Sequence, residues 1–93
     1  ETFTVTTATV SARSNNRFTW DFAGTSSVIT GNTITIQVST PTGLQTLGTT
    51  TVPVTGRWRL TVNNTTTVIP SANPTATITS SQGTVRTVSV ISN

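Results

Sequence analysis

Arg57-Trp58-Arg59-Leu60-Thr61-Val62 is the stretch on which the reading of this chain turns. Successive side chains of a strand point to opposite faces. Trp58, Leu60 and Val62 therefore share one face, and Arg57, Arg59 and Thr61 share the other. Gly56 just upstream is the turn residue that leads into this strand. Moving outward, the same period of two returns in Arg17 to Ala23, where Phe18, Trp20 and Phe22 fall on one face. It returns again in Thr33 to Ser39, with Ile34, Ile36 and Val38 inward. Helical periodicity is missing everywhere, so the chain reads as all-β.

Four more segments complete the reading. Thr2 to Ala12 carries Phe3 and Val5 on one phase and Ala8, Val10 and Ala12 on the other, which requires a bulge near Thr6 and Thr7 and would let this strand divide its pairing between two sheets. Thr46 to Val54 is threonine-rich, and Pro53 near its end argues for an edge position or a strand terminus. A polar loop from Asn63 to Pro74 is long enough to cross between sheets. Thr75 to Ser80 and Val85 to Ile91 then form a final pair around a Ser81-Gln82-Gly83 turn, whose glycine supplies the positive φ such turns need. Seven short strands with turn signals roughly every 8–12 residues is the pattern of an immunoglobulin-like antiparallel β-sandwich. A small barrel is the second architecture. The expected core is Phe18, Trp20, Phe22, Ile34, Ile36, Val38, Trp58, Leu60 and Val62.

The 93 residues are read as one domain, 1–93, large enough for a thin two-layer core. Only 32% of residues are apolar, but the abundant threonine is β-branched and packs on a pleated surface much as valine does. The charged fraction is 8%, and all five basic residues are arginine. Solubility therefore rests on hydroxyls and amides, a surface that tolerates being packed against neighbours. The chain has no cysteine, so disulfides and thiolate metal sites are excluded. No run approaches the roughly eighteen apolar residues of a membrane helix, and the first ten residues alternate as a strand rather than as a secretion signal. We expect a mature product or an excised module, extracellular or at a cell surface, with no membrane insertion.

The phrases Ser11-Ala12-Arg13, Arg17-Phe18-Thr19-Trp20, Gly24-Thr25-Ser26-Ser27, Gly56-Arg57-Trp58 and Ser80-Ser81-Gln82-Gly83 together resemble a type of bacterial immunoglobulin-like module. That type occurs as repeated or accessory domains of exported proteins, including domains appended to some multicopper oxidases. The resemblance implies an architecture and no active residue, because the His, Cys and Met ligands of a copper site are all missing from this chain.

Chemistry is narrowly bounded by the inventory. General acid–base work near neutral pH draws on His, Lys, Tyr, Cys or a tuned carboxylate, and only Glu1 and Asp21 remain from that set. Glu1, as the terminal residue, is expected to fray, which leaves no carboxylate pair. The serines and threonines have no imidazole or lysine to activate them. Metal sites fail for want of imidazole, thiolate or several carboxylates, and the glycines stand singly among turns rather than in a phosphate loop. The expectation is a noncatalytic chain with no cofactor, no metal and no catalytic residue.

The net charge is +3 and the isoelectric point near 11.8, because five arginines face two acids and not because basic residues are dense. Nucleic acid is therefore an unfavoured partner. Arg57, Arg59, Arg13 and Arg17 make the expected interaction surface, toward a neighbouring domain or subunit or an acidic glycan. Asp21, on the opposite face from Trp20, is expected to pair with an arginine or cap a turn. Trp20 and Trp58 would make a sugar-stacking platform if exposed, but both share a phase with their strand's apolar residues and read as core. Few charges protect the strand edges, so strand addition between subunits is an alternative route to assembly, with the first ten residues as donor. A subunit of a surface fibre or virion decoration and a carbohydrate-binding module are the alternative functions. Asn63 and Asn64 each open an Asn-x-Thr sequon.

Overall fold

The computed structural model describes residues 1–92, apart from the side chains of Asn15 and Asn64. The alternating segments become β1 (Phe3–Arg13), β2 (Arg17–Ser26), β3 (Thr33–Thr40), β4 (Gly43–Thr51), β5 (Arg57–Thr65), β6 (Thr75–Ser80), β7 (Val85–Ser89) and β8 (Ile91–Ser92), with a 3₁₀ turn over Ser14–Asn16. They form two four-stranded sheets. The first has the order β5-β2-β1-β8 and the second β4-β3-β6-β7. Every pairing is antiparallel except β1 with β8, which is parallel.

Registers place both ends of the sandwich. β1, β3, β5 and β7 run from one pole to the other, and β2, β4 and β6 run back. Glu1, the 27–32 and 52–56 loops and the 81–84 turn lie at the first pole. The Ser14–Asn16 turn, Pro41–Thr42 and the 66–74 loop lie at the second. Overall extents of 39 × 21 × 18 Å reflect strands laid along one axis.

Between the sheets sit Trp20 and Phe22 of β2, Trp58 of β5, Ile34, Ile36 and Val38 of β3, and Ala76 and Ile78 of β6, all buried. Phe3 stacks on Trp58 with ring centroids 5.6 Å apart, and Trp20 on Phe22 at 6.2 Å. Trp20 Nε1 donates to the Val68 carbonyl at 3.1 Å. Trp58 Nε1 is buried without a hydrogen-bond partner among the described residues. Phe18, Leu60 and Val62, expected in the core, are only partly buried against it. β5 is the outer strand of its sheet, so Leu60 and Val62 have a neighbour on one side only, and Phe18 sits next to the turn at the second pole.

Several boundaries differ from the sequence reading. β2 continues through Gly24 to Ser26, because Gly24 pairs with both Val5 and Trp58 and presents no Cβ. One built there would meet the Thr4 carbonyl oxygen at 2.0 Å and Trp58 Cζ2 at 2.5 Å. β4 lies at residues 43–51 instead of 46–54. A run of threonines carries little phase, and the tight hairpin at Pro41–Thr42 starts pairing at once, Thr40 opposite Gly43. β5 extends to Thr65, so Asn63 and Asn64 belong to a strand rather than a loop; the side chain of Asn64 is outside the described residues. The bulge in β1 falls between Val5 and Thr7 as the phase change requires, but β1 stays in one sheet. The last strand divides instead, β7 pairing with β6 and β8 with β1, with buried Val90 as the crossing point.

Candidate interaction surfaces

Arg59 and Asp21 meet because β5 and β2 are neighbours and the register sets Arg59 opposite Ala23 and Thr61 opposite Asp21. Asp21 then accepts from Arg59 Nη2 at 2.8 Å and Nε at 3.1 Å, a two-pronged geometry, and from Thr61 Oγ1 at 3.1 Å. Both residues are on the solvent side, where such a pair contributes about 0–1 kcal/mol. Beside it, Arg57, Arg59, Thr25, Ala23 and Thr6 border a shallow depression of about 580 Å³ that reaches Gly24 and Trp58. Thr6 is the unpaired bulge residue, and the bulge opens this hollow between β1 and β2.

Arg13 and Arg17 lie directly opposite one another across the β1–β2 pair, with Arg13 Nε donating to Thr19 Oγ1 at 3.3 Å. They share the outer face with Arg57 and Arg59. Ala23 is six positions along β2 from Arg17, a distance of roughly 20 Å along the strand. The four arginines thus make two groups on one face rather than a single patch. Arg86, opposite Ile78 on the outer strand β7, occupies the core-facing phase yet stays exposed. An inward-phase charge on an edge strand discourages strand addition.

Other edges carry similar devices. β5 has its arginines, and β4, which has no charged residue, is kinked by an irregularity opposite Ile36 and Gln37. The first ten residues, expected above as the donor segment, are engaged within the chain. β1 pairs with β2 along its length, and Phe3 and Val10 are buried, so donating it would empty part of the core.

A second cluster, at the first pole, was not anticipated. Glu1 is not frayed: its Oε2 accepts from Ser26 Oγ at 2.5 Å, Asn32 Nδ2 at 2.9 Å and Ser80 Oγ at 3.0 Å. Ser26, Asn32 and Ser80 are buried. Burial alone would raise the Glu1 pKa, but the hydrogen bonds from Ser26, Thr84, Ser80 and Asn32 outweigh it and hold the carboxyl at about 2, against an ordinary 4.5. A signal for this cluster did exist in the alternation. Ser26 continues the inward phase of Trp20, Phe22 and Gly24, Asn32 that of Ile34 and Ile36, and Ser80 that of Ala76 and Ile78. A polar residue on an inward phase is buried and must find partners.

Among the described residues no group of three His, Cys, Asp or Glu side chains gathers, and no helix is long and apolar enough to cross a membrane. Comparison of the chain with protein-family models, curated proteins and solved structures finds no match.

Proposed function

We propose that this chain is an immunoglobulin-like module without catalytic chemistry of its own, a spacer, repeat or assembly domain of an exported or cell-surface protein. One observation carries the reading. β1 starts at one pole and β8, parallel to it, runs toward the other, so modules of this kind can be strung along the 39 Å axis without the chain doubling back. The strand order favours the immunoglobulin-like reading, with β5-β2-β1 in one sheet, the short β8 added beside β1, and β4-β3-β6-β7 in the other. A noncatalytic role is favoured by what the two acids do, Asp21 held by Arg59 and Glu1 by the polar cluster at the first pole. Sparse charge and abundant hydroxyls favour an extracellular setting with neighbouring domains or subunits as partners.

The competing readings each lose support. Both indoles are buried, which weighs against a sugar-stacking platform, and the arginine-flanked hollow is the remaining route to a glycan. Fibre assembly by donation of the first ten residues would cost the core Phe3 and Val10. Two copies joined head to tail, measured by small-angle scattering, test the proposal. The maximum dimension should grow by about the 39 Å long axis relative to one copy. Side-by-side compaction, glycan binding lost with Arg57→Ser, or filament growth by the single domain would each displace the spacer reading.

A further inference from the structure

Three side chains, exposed to 5% or less, converge on the Glu1 carboxylate. The donors come from different elements. Ser26 ends β2 in the first sheet, Asn32 precedes β3, and Ser80 ends β6 in the second. We propose that Ser26, Asn32 and Ser80 form a preformed carboxylate-binding site, filled by Glu1 of the same chain and able to take a free carboxylate when that side chain is removed.

The case for a preformed site rests on where each hydrogen can go. The Asn32 amide is fixed in orientation without Glu1, since Nδ2 faces the Val28 carbonyl at 3.0 Å and Oδ1 faces the Ser81 hydroxyl at 3.0 Å. Reversing it would set carbonyl against carbonyl. Ser80 Oγ accepts from the Gln82 amide at 3.1 Å, which leaves its one hydrogen for either Glu1 Oε2 or Asn32 Oδ1, 2.9 Å away. Ser26 Oγ likewise accepts from the Val28 amide at 3.1 Å and can donate to Glu1 or to the Val28 carbonyl at 3.2 Å. Each donor therefore has a fallback acceptor, and the cluster stays satisfied when empty. A carboxylate offers the stronger, charge-assisted bonds. The donors named here are all neutral and meet at one oxygen, Oε2, at 2.5–3.0 Å, a spacing that suits a carboxylate oxygen better than the larger chloride ion.

Formate is the probe. Glu1→Ala in the full chain is titrated with sodium formate against sodium chloride at equal ionic strength, following melting temperature and the Asn32 side-chain NH2 resonances. Formate should shift both saturably, and at ten times its dissociation constant the folded-to-unfolded ratio should rise about elevenfold over the empty site. Wild type, its site already filled, and Glu1→Ala/Asn32→Ala should show no formate-specific response. Equal effects of formate and chloride, or an equal response in wild type, overturn the proposal. Should Glu1→Ala fail to fold, wild type supplies the second test: the Glu1 carboxyl ¹³C and Asn32 NH2 signals should titrate together, with a midpoint well below 4.5, and separate midpoints overturn it.

Discussion

Trp20 and Trp58 are a matched pair that differ in one atom's fate, and replacing each by phenylalanine should give opposite departures from a common cost. Both indoles are buried between the sheets, and both stack on a phenylalanine. Trimming an indole to a phenyl ring removes packing in either case. The loss is less than the roughly 3–5 kcal/mol of a truncation to alanine, so about 2 kcal/mol serves as the shared term. Trp20 Nε1 is bonded to the Val68 carbonyl, and Trp20→Phe strands that acceptor, adding about 1–3 kcal/mol. Trp58 Nε1 has no partner among the described residues, and Trp58→Phe discards a desolvated donor, returning a similar amount. The two variants should therefore differ by at least about 2 kcal/mol, Trp20→Phe being the weaker fold. At roughly 4–8 °C per kcal/mol for a domain of this size, the melting temperatures should lie about 8–16 °C apart. Calorimetry reads the gap, and urea midpoints at unchanged slope confirm that it is stability. Equal midpoints, or Trp58→Phe as the less stable variant, would refute the hydrogen-bond argument.

Gly24→Ala should destabilise by about 3 kcal/mol, the upper end of overpacking, because the added methyl meets the Thr4 backbone as well as the Trp58 ring. In a double-mutant cycle, Trp58→Ala should recover only part of that loss, and full additivity in urea melts would contradict the contact. Glu1 has a depressed pKa, so its contribution is complete above about 4.5 and is lost as pH falls through about 2. Wild type should converge on Glu1→Gln over that window, with a difference kept small by the exposure of Glu1, and a gap in melting temperature that is constant from pH 6 to 2 would contradict this. Arg59→Ala should cost no more than about 1 kcal/mol, and any cost should shrink at 1 M salt. Deleting residues 1–5 removes Phe3 from the face of Trp58, and loss of the cooperative thermal transition, followed by near-ultraviolet circular dichroism, is the expected result.

Alternation was the most legible property of the chain. It located Trp58, Trp20, Phe22 and the isoleucines of β3 in the core, because period two is local and needs no knowledge of neighbours. Val52 and Val90 are buried as well and lay within segments read as strands, 46–54 and 85–91, although in the structure Val52 follows β4 and Val90 stands between β7 and β8. Val68 is buried from the 66–74 loop, where no periodic partner announces it. Phe3, Val10, Ala76 and Ile78 lay on recognised strands, and only the packing of the two sheets shows that their inward phases close the core. The outward phase of Arg57 and Arg59 was equally local. That Arg59 and not another arginine takes Asp21 depends on β5 lying beside β2, a strand order the sequence does not encode in any short window. Glu1 was the hardest case, since its partners stand at positions 26, 32 and 80 and its place in the chain suggested solvent.

The parallel pairing of β8 with β1 has a mechanical meaning. If the two ends of the chain are drawn apart along the long axis, β1 is pulled toward the first pole and β8 toward the second, so Thr9–Ile91 and Val10–Ser92 slide past one another lengthwise. Bonds strained in that direction share the tension and yield together, whereas strands peeled from one end yield singly. Behind these two pairs stand the ten register positions of β1 with β2 and the five of β7 with β6, also dragged lengthwise. Under traction, the Glu1 contacts at the first pole and the short β8 segment would slip first, giving a little extension before the longer ladders resist.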